Sequence, residues 1–143
     1  MPIQLNILKD GDQFGSHRVI SPKGALPQPA EKLNNDVTTL WDNEILVNVE
    51  SLNIDSASFK QIKNEAKGDE ERIKDIILNI INQYGKLQNP VTGSGGILTG
   101  SIDYVGEKLS KGYDLKKGDK IVSLVSLSLT PLKIFNINEV KCD

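Results

Sequence analysis

His17 is the only histidine in this chain of 143 residues, and Arg18 follows it directly. Arginine presents a planar fork of N–H donors that can bind a carboxylate through two parallel hydrogen bonds. The pair is therefore a candidate for binding a carboxylate in an active-site cleft. An ordinary surface histidine beside an ordinary arginine is the alternative, and the sequence leaves both open.

A second candidate, Asp55, stands at the end of the clearest strand pattern in the chain. Residues 44–53 alternate, with Ile45, Val47 and Val49 on one face, which predicts a β-strand with one apolar face. A short helical pattern follows at once, so Asp55 is suited to cap the first turn of a helix. A carboxylate at the same position could instead hold an ammonium group or move a proton. Capping and catalysis remain two alternatives for Asp55.

The glycine-rich segment 93–100 is a third stretch that could bind a ligand. A Walker-type phosphate loop needs Gly-Lys-Ser/Thr before a helix, and a dinucleotide fingerprint lies between a strand and a helix. Here the glycines lead into the apolar pattern of residues 97–105, which predicts a strand. We therefore expect a tight turn beside a cleft. Gly100, within that pattern, predicts a bulge or a close approach of another backbone segment.

The elements that would position these residues follow from periodicity. Residues 69–84 repeat apolar side chains at helical spacing, begin with three acidic residues and are followed by Gly85, a suitable C-terminal cap, which together predict an amphipathic helix. The strand at 97–105 and another from Ile121 are expected to form a β-hairpin. Further strands are predicted at 18–20 and 133–140.

Composition limits the classes of function. The net charge of −2 gives no basic field for nucleic acid or an anionic membrane, so neither is an expected partner. No apolar run approaches the length of a transmembrane helix. The single cysteine, Cys142, allows no internal disulfide, which fits the cytoplasm. One histidine and one cysteine cannot form a standard zinc site.

Two segments carry a resemblance to a known family. Residues 100–106 (GSIDYVG) and 115–122 (LKKGDKIV) resemble the GroES-like substrate domain of medium-chain dehydrogenases. The resemblance implies an α+β fold that is mainly β, with a partly open β-barrel and the amphipathic helix packed on it. It implies that residues 1–143 form this one domain and that the nucleotide-binding Rossmann domain lies outside the chain.

The resemblance also bears on metal. Where zinc-dependent members of the family carry a cysteine ligand, this chain has Asp55. The Gly-His-Glu motif, which provides a histidine ligand, corresponds to Gly96 followed by Ile97. The sequence therefore departs from the zinc branch at these positions, and we expect no bound zinc.

Longer stretches are similar to a narrower group, the NAD-dependent dehydrogenases that oxidatively deaminate a diamino acid in lysine fermentation. These stretches are residues 15–30, 52–59, 89–96 and 124–132. The similarity implies a small diamino acid as substrate, NAD as cofactor of the full-length enzyme, a homo-oligomer, and an inactive domain when this chain is alone. It implies a catalytic role for Asp55 and substrate contacts from His17, Arg18, Ser56 and Ser94, and it assigns no cofactor-binding residue.

Two other functions stay open. A GroES-like barrel without a nucleotide domain could be a structural or binding module without catalysis, and a zinc-free quinone reductase domain is a further alternative. A structural barrel has no need of a carboxylate at Asp55 facing the glycine-rich opening at 93–96. That juxtaposition is the feature which separates the enzyme from the structural module.

Overall fold

The computed structural model describes residues 5–141, so Cys142 lies outside the described residues. Within them, seven strands and three helices follow one another along the chain, joined by turns. They are β1 (Asn6–Leu8), β2 (Val19–Ser21), β3 (Lys32–Leu33), β4 (Thr39–Trp41), β5 (Ile45–Ile54), α1 (Ser56–Glu65), α2 (Glu70–Tyr84), β6 (Gly96–Val105), α3 (Glu107–Ser110) and β7 (Lys120–Ser123). Strand and helix are present in similar amounts, so the predicted α+β class is confirmed.

The strands of residues 5–141 form three small sheets and no closed barrel. Strands β5, β6 and β7 form an antiparallel sheet in that order, with β6–β7 as the predicted hairpin. Strand β1 pairs with β4 in parallel, and β2 pairs with β3 antiparallel. The register of β5 against β6 shifts twice, between Leu46 and Val47 and between Val49 and Ser51. These shifts keep the two ten-residue strands paired while the sheet twists.

Gly100 shows why one of these irregularities needs a glycine. It pairs with Val49, and a Cβ atom on Gly100 would collide with the carbonyl oxygen of Asn48 on the neighbouring strand. The predicted close approach of another backbone segment at Gly100 is therefore confirmed. This close approach lets β5 pair with β6 along its full length, and the pairing sets the position of Asp55, the residue that follows β5.

The core lies between helices α1 and α2 and the three-stranded sheet. In α2 the predicted apolar stripe is buried, and Gly85, the predicted C-terminal cap, ends the helix at φ 72°. Asp69, expected in the first turn, stands just before the helix and caps it by accepting a hydrogen bond from Glu71 N. Burying each large aliphatic side chain contributes roughly 1.5–3 kcal/mol, so this stripe anchors the helix. The buried core residues shared by the helices, the sheet and the C-terminal segment include Ile62, Ile73, Ile77, Ile81, Leu98, Leu127 and Leu132.

Two local predictions differ from the structure. The strand predicted at 133–140 is wrong, because this segment has no regular secondary structure. Its apolar residues Ile134, Ile137 and Val140 pack on the core at every third position, while Phe135 is 82% exposed. The strand predicted at 18–20 begins one residue later, at Val19, because residues 16–18 form a 3₁₀ turn. No helix within residues 5–141 is both long and apolar enough to cross a membrane.

Candidate functional site

Asp55 links the longest strand to a helix. Its backbone N–H donates to Gly95 O across the sheet at 2.9 Å, which extends the β5–β6 pairing by one residue. Its side chain then accepts from Ser58 N at 2.9 Å and caps α1. The first N–H groups of a helix have no partner within the helix, so this bond stabilises α1. The capping role predicted for Asp55 is thereby confirmed, and it leaves the second carboxylate oxygen for other contacts.

Three hydroxyl groups surround the Asp55 carboxylate. The turn at residues 89–94 carries Thr92 and Ser94 back to the start of α1, where they meet Ser58. The Oγ of Ser58 lies 2.7 Å from Ser94 Oγ and 2.9 Å from Thr92 Oγ1, and the latter two are 3.0 Å apart. Asp55 Oδ1 lies 3.1 Å from Ser94 Oγ, and Oδ2 lies 3.2 Å from Ser58 Oγ. We call these four residues the Asp55 cluster.

The Asp55 cluster has more acceptors than hydrogens to fill them. Its side chains make five close oxygen–oxygen pairs, three among the hydroxyls and two with the carboxylate. Each hydroxyl carries one hydrogen, so three hydrogens serve five pairs. If each hydrogen points at a single acceptor, at least two pairs have no hydrogen between them, so lone pairs of the cluster remain able to accept from a further N–H or O–H donor. An ammonium group, which has three N–H donors and a positive charge, meets this deficit.

The cluster is open on one side. Ser58 is buried at 1% exposure, Asp55 and Ser94 are half-buried, and Thr92 is exposed. A small molecule can therefore reach the carboxylate past Thr92. Ser56 begins α1 with an exposed side chain and does not belong to the cluster. Of the residues predicted for the site, the structure brings Asp55 and Ser94 together.

Sequence reasoning missed Ser58 and Thr92. Ser58 stands three residues after Asp55, where a hydroxyl on the first turn of a capped helix returns to the cap residue. That spacing was visible in the sequence. Thr92 had no such local signal, because its contact with Ser58 spans 34 residues and depends on how the turn folds back.

Arg18 uses all its donors within the chain. Its Nε donates to Glu44 Oε2 and one Nη2 hydrogen to Glu44 Oε1, both at 2.8 Å, which is the bidentate geometry. The other Nη2 hydrogen reaches Thr39 O at 2.7 Å, and Nη1 donates to Asn34 O at 3.2 Å and Asp36 O at 3.0 Å. Five N–H groups thus meet five acceptors. The side chain is 6% exposed.

His17 and Trp41 complete this second group, which we call the Arg18–Glu44 cluster. His17 Nδ1 accepts from Asp12 N, so Nε2 carries the hydrogen that it donates to Glu44 Oε2, each bond being 2.9 Å. Trp41 N donates to Glu44 Oε1 at 2.9 Å, and the Arg18 guanidinium lies 4.6 Å from the Trp41 ring centroid. Burial alone would raise the pKa of Glu44, but hydrogen bonds from Arg18, Trp41 N and His17 hold that pKa below its ordinary value.

The two clusters lie at opposite ends of β5. Glu44 immediately precedes this strand and Asp55 immediately follows it. A ten-residue strand is about 30 Å long, which is far longer than a small diamino acid. One substrate molecule therefore cannot touch Asp55 and the His17–Arg18 pair of the same chain. Substrate binding by His17 and Arg18 stays a prediction, and it would require the substrate carboxylate to displace Glu44.

The positions that correspond to zinc ligands do lie beside Asp55. Gly96 pairs with Ile54, and Ile97 pairs with Asn53, at the end of β5. A Cβ atom on Gly96 would collide with the backbone of Asn53, so a larger residue does not fit there. Within residues 5–141, no three His, Cys, Asp or Glu side chains come together to hold a metal ion. The expectation of a zinc-free protein remains a prediction.

Lys86 is a third polar group inside the protein. It follows α2, is 1% exposed, and its Nζ donates to Pro27 O at 2.7 Å and Gln28 O at 3.1 Å. Its two acceptors are backbone carbonyl groups and carry no formal charge. Burial therefore lowers the pKa of Lys86 from 10.5 to about 8. The side chain ties the proline-rich segment to the end of α2.

Comparison with known proteins adds a family and two relatives. The family described as L-erythro-3,5-diaminohexanoate dehydrogenase N-terminal domain matches residues 17–143. An L-erythro-3,5-diaminohexanoate dehydrogenase of Acetoanaerobium sticklandii is 56% identical over 133 residues, which are 93% of this chain and 38% of the relative. One of Fusobacterium nucleatum subsp. nucleatum is 54% identical over 134 residues, which are 94% of this chain and 39% of the relative. The chain spans about two-fifths of the length of these curated relatives.

Proposed function

The chain belongs to the family of L-erythro-3,5-diaminohexanoate dehydrogenase N-terminal domains, and from this we propose that it is the substrate-binding domain of such an enzyme. The reaction converts the amine at carbon 3 to a ketone: L-erythro-3,5-diaminohexanoate, NAD⁺ and water give 5-amino-3-oxohexanoate, NADH, ammonium and a proton. The ammonium group on carbon 3 first loses a proton. Hydride then leaves carbon 3, and water attacks the iminium ion that results.

NAD would supply the hydride acceptor in this reaction. The glycine-rich stretch before β6 does not fit a dinucleotide, because it leads into a strand and not a helix. Gly95 and Gly96 are also packed against neighbouring backbone, so they form no open cradle. The nicotinamide would therefore be held by residues outside this chain, and no step of the cofactor's chemistry is assigned to the residues described.

The observation that supports a substrate role is the hydrogen deficit of the Asp55 cluster. Five oxygen pairs share three hydroxyl hydrogens, and a carboxylate lies among them. A substrate ammonium supplies the missing donors and the compensating charge. Asp55 is then close enough to take the proton that the ammonium must lose before hydride transfer. Ser94 and Thr92 orient the nitrogen, while Ser58 holds the carboxylate.

A chimera tests this proposal. In it the chain replaces the matching segment of the Acetoanaerobium sticklandii relative, and formation of NADH from L-erythro-3,5-diaminohexanoate is measured. We expect activity from the chimera and a fall of about 10²-fold or more in kcat/KM for Asp55→Asn, the usual scale for losing a general acid–base group. Asparagine retains an oxygen and caps a helix about as well as aspartate, so the melting temperature should stay nearly unchanged.

A matched control is available in the same chain. Asp69 caps α2 through its side chain as Asp55 caps α1, but it lies away from the hydroxyl groups. Asp69→Asn should leave kcat/KM unchanged. An inactive chimera that is folded would contradict the proposed function and favour a structural module, and full activity of Asp55→Asn would limit Asp55 to capping.

A further inference from the structure

Asn89 is a buried polar residue next to the Asp55 cluster that the proposed reaction does not use. It is 1% exposed and stands at the start of the turn that carries Thr92 and Ser94. A buried amide is costly unless its donors and acceptors are paired. Each of its polar groups is paired, and the partners all belong either to the turn or to α1.

The side-chain amide joins the turn to the helix. Its Nδ2 donates to Ser58 O at 3.3 Å and to Gln61 Oε1 at 2.8 Å, both on α1. Its Oδ1 accepts from Val91 N at 2.8 Å and from Thr92 N at 3.2 Å, both in the turn. One planar group therefore sets the distance between Ser58 and Thr92.

The backbone of Asn89 closes the same turn. Its N–H donates to Ser94 O at 2.8 Å, and its carbonyl accepts from Gly93 N at 2.7 Å. The turn is thus wrapped around one residue, and the hydroxyls of Thr92 and Ser94 emerge on the side that faces Asp55. Only an asparagine side chain supplies, at this position, an NH₂ group that donates two hydrogen bonds and a carbonyl oxygen that accepts two. Aspartate lacks the donors, and alanine lacks both.

We infer that Asn89 is the positioning residue of the Asp55 cluster: it holds the Thr92 and Ser94 hydroxyls at the distances from Asp55 and Ser58 that substrate ammonium binding requires. The inference rests on the proposed function of that cluster. A misplacement of about 1 Å in a binding group can cost a factor of about 10² in rate, so the cluster needs such a support.

A double-mutant cycle separates positioning from general stability. In the chimera we expect Asn89→Ala to lower kcat/KM by about 10²-fold and Ser94→Ala to lower it by about 10-fold. If Asn89 acts through the turn hydroxyls, the double variant should lose about 10²-fold, well short of the additive product of about 10³-fold. Additive losses would overturn the inference, because they are expected when Asn89 serves only the stability of the fold.

Two further variants keep the test decisive. Gln61→Met removes one partner of Asn89 on the half-buried face of α1 without altering a buried residue, and it should lower kcat/KM several-fold with the same coupling to Ser94→Ala. It replaces Asn89→Ala in the cycle if the latter fails to fold. Asn35→Ala, which removes the side-chain bond to Leu132 O, is the control and should leave kcat/KM unchanged.

The outcomes distinguish this inference from the proposed function. Asp55→Asn and Ser94→Ala could both lose activity while the effect of Ser94→Ala is additive with that of Asn89→Ala or Gln61→Met. That result would overturn only the positioning role of Asn89. Full activity in Asp55→Asn and Ser94→Ala would overturn the function of the cluster, and with it the role of Asn89.

Discussion

The two ends of β5 carry polar clusters with opposite hydrogen-bond balance. At the start of the strand, the five N–H donors of Arg18 meet five acceptors, and Glu44 accepts four bonds, from Arg18, His17 and Trp41 N. At its end, the Asp55 cluster has three hydroxyl hydrogens for five oxygen pairs. In the first cluster every N–H donor of Arg18 already has a partner within the chain, while the second cluster has acceptors to spare.

This difference shows that residue type is a weak guide to a site. Arginine and histidine are the side chains that suit substrate carboxylates, yet here they hold a carboxylate of their own chain, Glu44. Serine and threonine are common surface residues, yet three of them around Asp55 create a deficit of donors. The balance of donors and acceptors, which depends on partners far apart in sequence, distinguishes structural support from a candidate site.

The largest effect should come from removing Glu44. Glu44→Ala leaves the Arg18 guanidinium buried without its counter-charge, and breaking a buried pair in this way costs about 3–5 kcal/mol. Urea unfolding of the chain should show this loss as a lower midpoint at an unchanged slope. Glu71→Ala, which breaks the exposed pair with Lys74, is the control and should cost less than about 1 kcal/mol. A loss this small in Glu44→Ala would favour the predicted substrate role of Arg18.

A second effect concerns the pH dependence of stability. Lys86 is a buried cation whose partners are backbone carbonyl groups, whereas Arg18 is paired with the carboxylate of Glu44. The pKa of Lys86 is about 8 in the folded chain, against 10.5 as its ordinary value. Between these values the unfolded chain binds more protons, so the free energy of unfolding rises with pH. From pH 7 to pH 9.5 the gain should be about 2 kcal/mol, measured by urea unfolding at both pH values.

Lys86→Met tests the source of that pH dependence. Methionine keeps much of the aliphatic chain and removes the charge, so the gain between the two pH values should disappear. The variant should also be no less stable than the parent at pH 7, where the buried charge is most costly. If Lys86→Met showed the same gain in stability between the two pH values, another group would be its source. Lys86 would then not differ from Arg18 in the cost of its buried charge.

The smallest effect concerns the cap at Asp55. Asp55→Ala removes the oxygen that accepts from Ser58 N, which should lower the free energy of unfolding by about 1 kcal/mol, whereas Asp55→Asn should change it by only a few tenths. Thermal or urea unfolding of the two variants provides the comparison. Equal stability of Asp55→Ala and the parent would show that the Asp55 cap adds little to the stability of the fold.

The spacing of residue types along the sequence determined much of the secondary structure of this protein. The alternation at 44–53, the helical repeat at 69–84 and the glycine at position 100 predict β5, α2 and the close approach of β6, because each signal arises between neighbours in sequence or from one backbone restriction. The strand predicted at 133–140 failed for the complementary reason. Its apolar residues contact the core at every third position. That spacing is set by the shape of the core surface, which is built from segments distant in sequence.

The candidate site divides in the same way. Asp55 was recognisable because a strand end and a helix cap are local features, and the Ser58 contact lies within one helical turn. The partner of Arg18 lies 26 residues away, and Ser94 lies 39 residues from Asp55. Chain segments so distant meet only when the sheet pairs and the helices pack on it. Whether a polar side chain ends with all its partners or with too few is therefore decided by the tertiary structure.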